Sequence, residues 1–206
     1  MIKKDWDKLP SENAIEETAR NLESRGIRVI IVNNKDEALE KLKEMIPAQA
    51  GIANGGSTTL EQIGFIDYLN KTKHNWKNLH EEVLKEKSSE KQAELRRRMV
   101  TADYFLGSIN AIAKTGALVS CDTTGSRTGA YLFAAKNLIL VSGINKITDN
   151  LNEAMQRVKE YVFPLENARA MKAYGRGSGL NKWMIIEREI FPNRITLILV
   201  KEKLGF

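Results

Sequence analysis

A single cysteine, Cys121, stands among 206 residues. That excludes an internal disulfide framework and any multi-cysteine zinc or iron–sulfur site. Two histidines, His74 and His80, leave little material for a histidine-based metal centre. Long hydrophobic runs are also missing: the apolar stretches are short and broken by charges, far from the ~18 residues a membrane span needs. The chain opens Met1-Ile2-Lys3-Lys4-Asp5-Trp6 with no apolar segment behind it, so no signal peptide is read and a cytoplasmic location is expected. Prolines number 4 against 14 glycines, with 42% hydrophobic and 28% charged residues. Those values belong to a folded globular chain and exclude a disordered, collagen-like or coiled-coil one.

No charge of one sign is concentrated along the chain. Thirty-two Lys and Arg against 26 Asp and Glu leave a net charge of +6, which attracts anions at long range. The bases alternate with acids, as in Glu40-Lys41-Leu42-Lys43-Glu44, and only Arg96-Arg97-Arg98 is a compact basic run. Nucleic-acid partners are therefore not expected, because such surfaces gather charge in a stripe or interleave it with aromatics.

What is present is an alternation of helical and strand signals. Residues 11–24 place Ile15, Ala19 and Leu22 at helical spacing after Ser11. Arg28 to Val32 is a β-branched run, and Asp36 to Ile46 is helical again. Further strands are read at 50–54, 104–107, 117–121, 138–141, 183–186 and 195–200, with helices at 60–69, 89–101, 127–134 and 150–162 and a short helical turn at 110–113. Nearly all-apolar strands separated by helices imply a sheet covered on both faces. The expectation is one α/β domain over residues 1–206, a three-layer α/β/α sandwich. Within it, 1–25 would be an N-terminal helical segment and 71–100 a helical flap.

Four constellations carry the candidate chemistry. Gly55-Gly56-Ser57-Thr58-Thr59-Leu60-Glu61 joins a strand end to a helix start, where glycines allow close backbone approach and hydroxyls can receive a carboxylate or phosphate. Ser57 or Thr58 with Glu61 equally forms an ordinary capping box. Ser108 and Asn110 follow another strand end, either binding an anionic oxygen or capping a turn. Asp122-Thr123-Thr124-Gly125-Ser126-Arg127 sets an acid, hydroxyls, a glycine and an arginine between a strand and a helix. The arginine offers a bidentate fork for an anion, while Asp122 orients it, takes a proton or simply salt-bridges it. Asn145 and Lys146 follow the 138–141 strand, Lys146 as a point charge for an anion. Cys121 has no histidine beside it in sequence and ends an apolar strand, the setting of an inert buried thiol.

In order along the chain, these residues resemble the LUD domain family of lactate-utilisation proteins (the LutC/YkgG type), in a bacterial branch. The landmarks are Gly55 to Gly64, Gly107-Ser108-Ile109-Asn110-Ala111-Ile112, Gly116 to Val119, Gly125-Ser126-Arg127, Val141 to Ile147, and the tail from Arg194 to Phe206. The resemblance covers nearly the whole chain. It implies a fold like that of the NagB/RpiA/CoA-transferase superfamily, Rossmann-like with a largely parallel sheet. It also implies a link to lactate-oxidation systems, whose companion proteins carry iron–sulfur clusters, and to a superfamily that includes isomerases and CoA transferases. Relatives carry a cysteine cluster before the final strand pair. Here Ala173 to Trp183 holds no cysteine, so no self-contained iron–sulfur cluster is expected and no other cofactor is assigned.

The leading expectation is a domain that binds a small organic or phosphorylated anion. Arg127 and Lys146 would supply charge, Gly55, Gly56, Ser57, Thr58, Ser108, Asn110, Thr124, Gly125 and Asn145 would supply contacts, and Glu61 or Asp122 would be the proton-transfer group. The alternatives are a non-catalytic subunit of a redox complex, with a redox protein or a second copy as partner, and an isomerase- or CoA-transferase-like enzyme.

Overall fold

Polar caps set the helix boundaries. In a computed structural model that describes residues 4–206, the side chains of Ser11, Asn34, Ser57, Asn78, Ser88 and Asn150 each accept a hydrogen bond from a backbone N–H in the first turn of the following helix. Residues 1–3, the start of the segment read as lacking a signal peptide, lie outside the described residues. The chain runs through α1 (Glu12–Glu23), β1 (Arg28–Val32), α2 (Lys35–Met45), β2 (Gly51–Asn54), α3 (Thr58–Gln62), α4 (Phe65–Lys71), β3 (Lys77–Asn78), α5 (Leu79–Lys85) and α6 (Ser89–Met99). It continues through β4 (Tyr104–Gly107), β5 (Ala111–Ala113), β6 (Ala117–Asp122), α7 (Ser126–Gly129) with a π-helical turn at Ala130–Ala134, and β7 (Asn137–Gly143). Last come β8 (Ile147–Thr148), α8 (Leu151–Arg157) with a second π-helical turn at Val158–Val162, α9 (Phe163–Tyr174), β9 (Lys182–Ile186) and β10 (Ile195–Val200).

Six strands form an all-parallel sheet in the order β1-β10-β7-β4-β2-β3. Its strands are apolar on both faces, and the period of two divides each between two cores. Ile195, Leu197 and Leu199 of β10 join Leu138 and Leu140 of β7 on one face. Ile198 and Val200 join Ile139 and Val141 on the other, beneath Leu42 of α2, Leu60 of α3 and Phe65 of α4. The first face is covered by Ile15 and Leu22 of α1, Val83 of α5 and Met99 of α6, so the 71–100 stretch packs onto the sheet. This is the three-layer α/β/α arrangement.

A second sheet, β8-β5-β6-β9, adds to the covered face. Ile112 and Leu118 point into the main core, while Ala111, Ala113, Ala117 and Val119 pack under Ala154 and Val158. Here the structure corrects the reading of residues 110–113 as a helical turn: 111–113 pair antiparallel with β6. Three residues are too few for a helical and a strand period to be told apart. The single helix read at 60–69 is two, because Gly64 turns into the left-handed region (φ 77) between α3 and α4. Asn150 caps α8, and the Thr148 hydroxyl donates to Ile112 O. No helix among the described residues is long and apolar enough to cross a membrane.

Candidate functional site

Parallel strands direct their carboxyl ends to one edge of the sheet, where the chain leaves each strand and small polar residues collect. A cleft of about 240 Å³ opens there. It is walled by Gly55 to Thr59 after β2, Ser108 to Asn110 after β4, Cys121 to Thr124 at the end of β6, Arg127 on α7 and Lys146 after β7. Opposite stand Val158, Val162, Phe163, Glu166 and Arg169, and Gly205 and Phe206 close one side. Both π-helical turns border the site, one through Val158 and Val162 and the other through Tyr131, whose ring lies 5.9 Å from the Arg127 guanidinium. Widened turns of this kind recur at functional sites.

Arg127 is held from several directions. Its Nε donates to Asp122 Oδ1 at 3.1 Å, its Nη2 lies 2.9 Å from the same oxygen, and Nη2 also donates to Cys121 O at 2.8 Å. Asp122 Oδ2 accepts from Thr128 N at 3.0 Å. Gly55 gives the arginine stem its space, since a Cβ there would stand 3.1 Å from Arg127 Cδ. Gly125 enters α7 at φ 88, with Lys182 against it, and the Thr124 carbonyl accepts from Lys182 Nζ at 2.7 Å. Burial works against the guanidinium charge, but Tyr131 and Asp122 outweigh it and Arg127 is held above its ordinary value. Nη1 has no hydrogen-bond partner among the described residues.

Lys146 is different in kind. Its side chain is buried, and Nζ lies 3.0 Å from Thr59 Oγ1, 3.0 Å from Ser108 Oγ and 3.2 Å from Ile109 O. No carboxylate reaches it among the described residues. Burial, followed by the positive charges of Arg157 and Arg127, pushes its amine well below the usual lysine value. Arg157, itself buried, donates through Nη1 to Asn110 O at 2.7 Å, while its Nη2 has no partner among the described residues. Burial pushes Arg157 down to about 10.

Most residues singled out in the sequence meet here, some in other roles. Ser57 caps α3 by accepting from Leu60 N at 3.2 Å. Glu61 is exposed on α3 and lies outside the cleft. Asn110 does not cap a turn: its Oδ1 accepts from Ser120 Oγ at 2.7 Å and Cys121 N at 2.9 Å, locking the end of β6. Asn145 lies behind the cleft and accepts from Leu204 N at 3.1 Å, tying down the tail. Thr124 lines the cleft, whereas Gly125 borders it from behind. The Cys121 thiol is pushed up by burial, the opposite of activation.

The sequence reading missed Glu166 and Arg169, an ion pair of two 2.8 Å contacts in the far wall. Their spacing of three on a helix looks like any surface pair, and nothing local marks them as wall residues.

The LUD domain model matches residues 15–200. No curated protein matches the chain by sequence. Among solved structures, a DUF162 family protein from Deinococcus radiodurans, determined at 1.70 Å, is similar with a TM-score of 0.55 and 13% identity. The alignment covers 94% of this chain and 99% of that one, and at such identity it establishes the fold alone. With the family match running from α1 to the end of β10, the chain belongs to the LUD domain family.

Proposed function

We propose that the cleft binds a small organic anion, either a carboxylate such as a hydroxy acid or a phosphorylated metabolite. Arg127 carries the reading. Its fork is fixed by Asp122 and the Cys121 carbonyl, and Nη1 has no partner among the described residues at the cleft wall. A guanidinium already ordered loses little entropy when it takes an anionic oxygen. Arg169 faces the same space from α9, and the hydroxyls of Ser57 and Thr58 add donors. Membership of a family named for lactate utilisation supports a carboxylate. In this reading Asp122 positions Arg127 and Glu61 takes no part.

The test is a thermal-shift screen of wild type and Arg127→Gln against lactate, other hydroxy acids, sugar phosphates and CoA esters. One class should stabilise wild type saturably by about 2.7 kcal/mol at a hundredfold excess over Kd, roughly 5–10 °C for a domain of this size. The shift should be lost in the variant. A well-folded wild type that responds to no anion would overturn the reading.

One observation favours a second reading, a protein-docking role. Phe133 and Ile190 are 75% and 76% exposed, with Leu132 and Phe191 beside them in sequence also exposed. Arg194 holds their segments together by donating to Tyr131 O at 2.7 Å and pairing with Glu189. Light scattering on wild type and Phe133→Glu would show whether that surface holds a second copy of the chain.

A further inference from the structure

We propose that Ser108 and Lys146 form a nucleophile–base dyad that transfers the acyl group of a small ester or thioester. The pair lies 3.0 Å apart on the wall of the cleft, brought together across 38 residues of sequence. The surroundings of the amine favour its neutral, proton-accepting form. The charged groups acting on it are Arg127 and Arg157, both positive, and the nearby Asp122 is already paired with Arg127.

Hydrogen-bond counting leads the same way. A neutral amine has two N–H donors and one lone pair. Ile109 O can only accept, so it takes one N–H. The second N–H and the lone pair are left for the Thr59 and Ser108 hydroxyls. Thr59 is the more covered of the two, at 1% exposure, and a Cβ on Gly205 would stand 2.4 Å from its Oγ1. Ser108 Oγ, a primary hydroxyl, donates to Thr59 Oγ1 at 3.1 Å in the resting arrangement and lies 3.0 Å from Nζ, so a rotation of its O–H turns that proton to the amine. The Ile109 carbonyl orients the base, as the third member of a nucleophile–base–orienter set does.

The step balances without a cofactor. Ser108 Oγ bonds to the acyl carbon while its proton passes to Lys146 Nζ. The bond from carbon to the leaving oxygen or sulfur then breaks, and the leaving group takes that proton. Water adds to the acyl-serine, again through Lys146, and releases a carboxylic acid and free Ser108. The overall change is an ester or thioester plus water giving an acid plus an alcohol or thiol.

The experiment treats the full chain with a neutral fluorophosphonate, whose phosphorus accepts a nucleophilic oxygen as fluoride leaves, and maps the adduct by mass spectrometry. One adduct on Ser108 is expected, forming at a rate that rises with pH and levels off below the ordinary lysine range. Lys146→Met and Lys146→Arg, which have no proton acceptor near neutral pH, should label at least ~100-fold more slowly while still melting cooperatively. Mapping the wild-type adduct needs no variant to fold. An adduct on Thr59 or Lys146, no adduct on folded wild type, or a Ser108 rate unchanged in Lys146→Met would each overturn the dyad. The probe carries no anionic group, so labelling at Ser108 without any anion-induced thermal shift would sink the anion reading and leave the dyad standing. A shift without labelling would do the reverse.

Discussion

Replacing Lys146 with Met should stabilise the protein near neutral pH, and by an amount that falls as pH rises. The amine is buried with no carboxylate partner among the described residues, and its folded-state value lies well below the 10.5 of an ordinary lysine. Between that depressed value and 10.5 the unfolded chain carries a proton that the folded chain does not. Stability therefore rises with pH across this window, by about 1.4 kcal/mol per pH unit from this one group. Above the window both states are neutral and the contribution is constant. Methionine keeps the length of the stem and has no proton to lose, so Lys146→Met lacks the slope. Against this gain, the variant removes the 3.2 Å bond to Ile109 O and leaves it only the long 3.5 Å contact from Ser108 Oγ, at a cost of about 1–3 kcal/mol. Ser108 and Thr59 retain each other at 3.1 Å. The assay is urea unfolding of both proteins from about pH 7 to about pH 10, where all other titrations cancel in the difference. The stability advantage of the variant should shrink as pH rises above the amine's depressed value, and near pH 10 the lost bond to Ile109 O should make it the weaker protein. A difference that stays flat with pH would refute the claim that Lys146 is buried neutral.

Two further perturbations test the frame around the cleft. Asp122→Asn removes the only carboxylate bonded to Arg127 among the described residues; the pair's side chains are 13% and 17% exposed. The loss should be roughly 1–3 kcal/mol in urea unfolding, together with weaker anion-induced stabilisation. A variant as stable as wild type would mean that Arg127 is ordered by other contacts. Gly107→Ala should be far worse, because a Cβ there would lie 1.7 Å from the Tyr131 hydroxyl, which donates to Ser108 O at 3.0 Å. Steric displacement of a fully buried ring should cost about 3 kcal/mol or more and appear as a large drop in Tm; a near-native melt would show that the ring has room to move.

Much of the framework was legible because its causes are local. The runs Arg28–Val32, Leu138–Val141 and Ile195–Val200 mark strands through β-branching and length. Ser11 and Ser57 mark helix starts through hydroxyls that satisfy nearby N–H groups. Asp122 and Arg127 were readable as a pair since they stand only five positions apart. Strand runs flanked by helices also indicate an α/β layering before any contact is known.

The tertiary structure decided what depends on distance through space and on loss of water. Lys146 meets Thr59 across 87 residues and Ser108 across 38, and its displaced protonation comes from desolvation, which no neighbouring residue encodes. In the sequence it is one of thirty-two basic residues. Glu61 and Glu166 show the same limit from opposite sides. One lies close to the glycine-rich strand end yet turns outward on α3, while the other, on distant α9, reaches the cleft because that helix packs across its mouth. Local patterns record what a residue does for its own helix or strand. Which side chains share a desolvated space is set only when the strand ends, the second sheet and α9 converge.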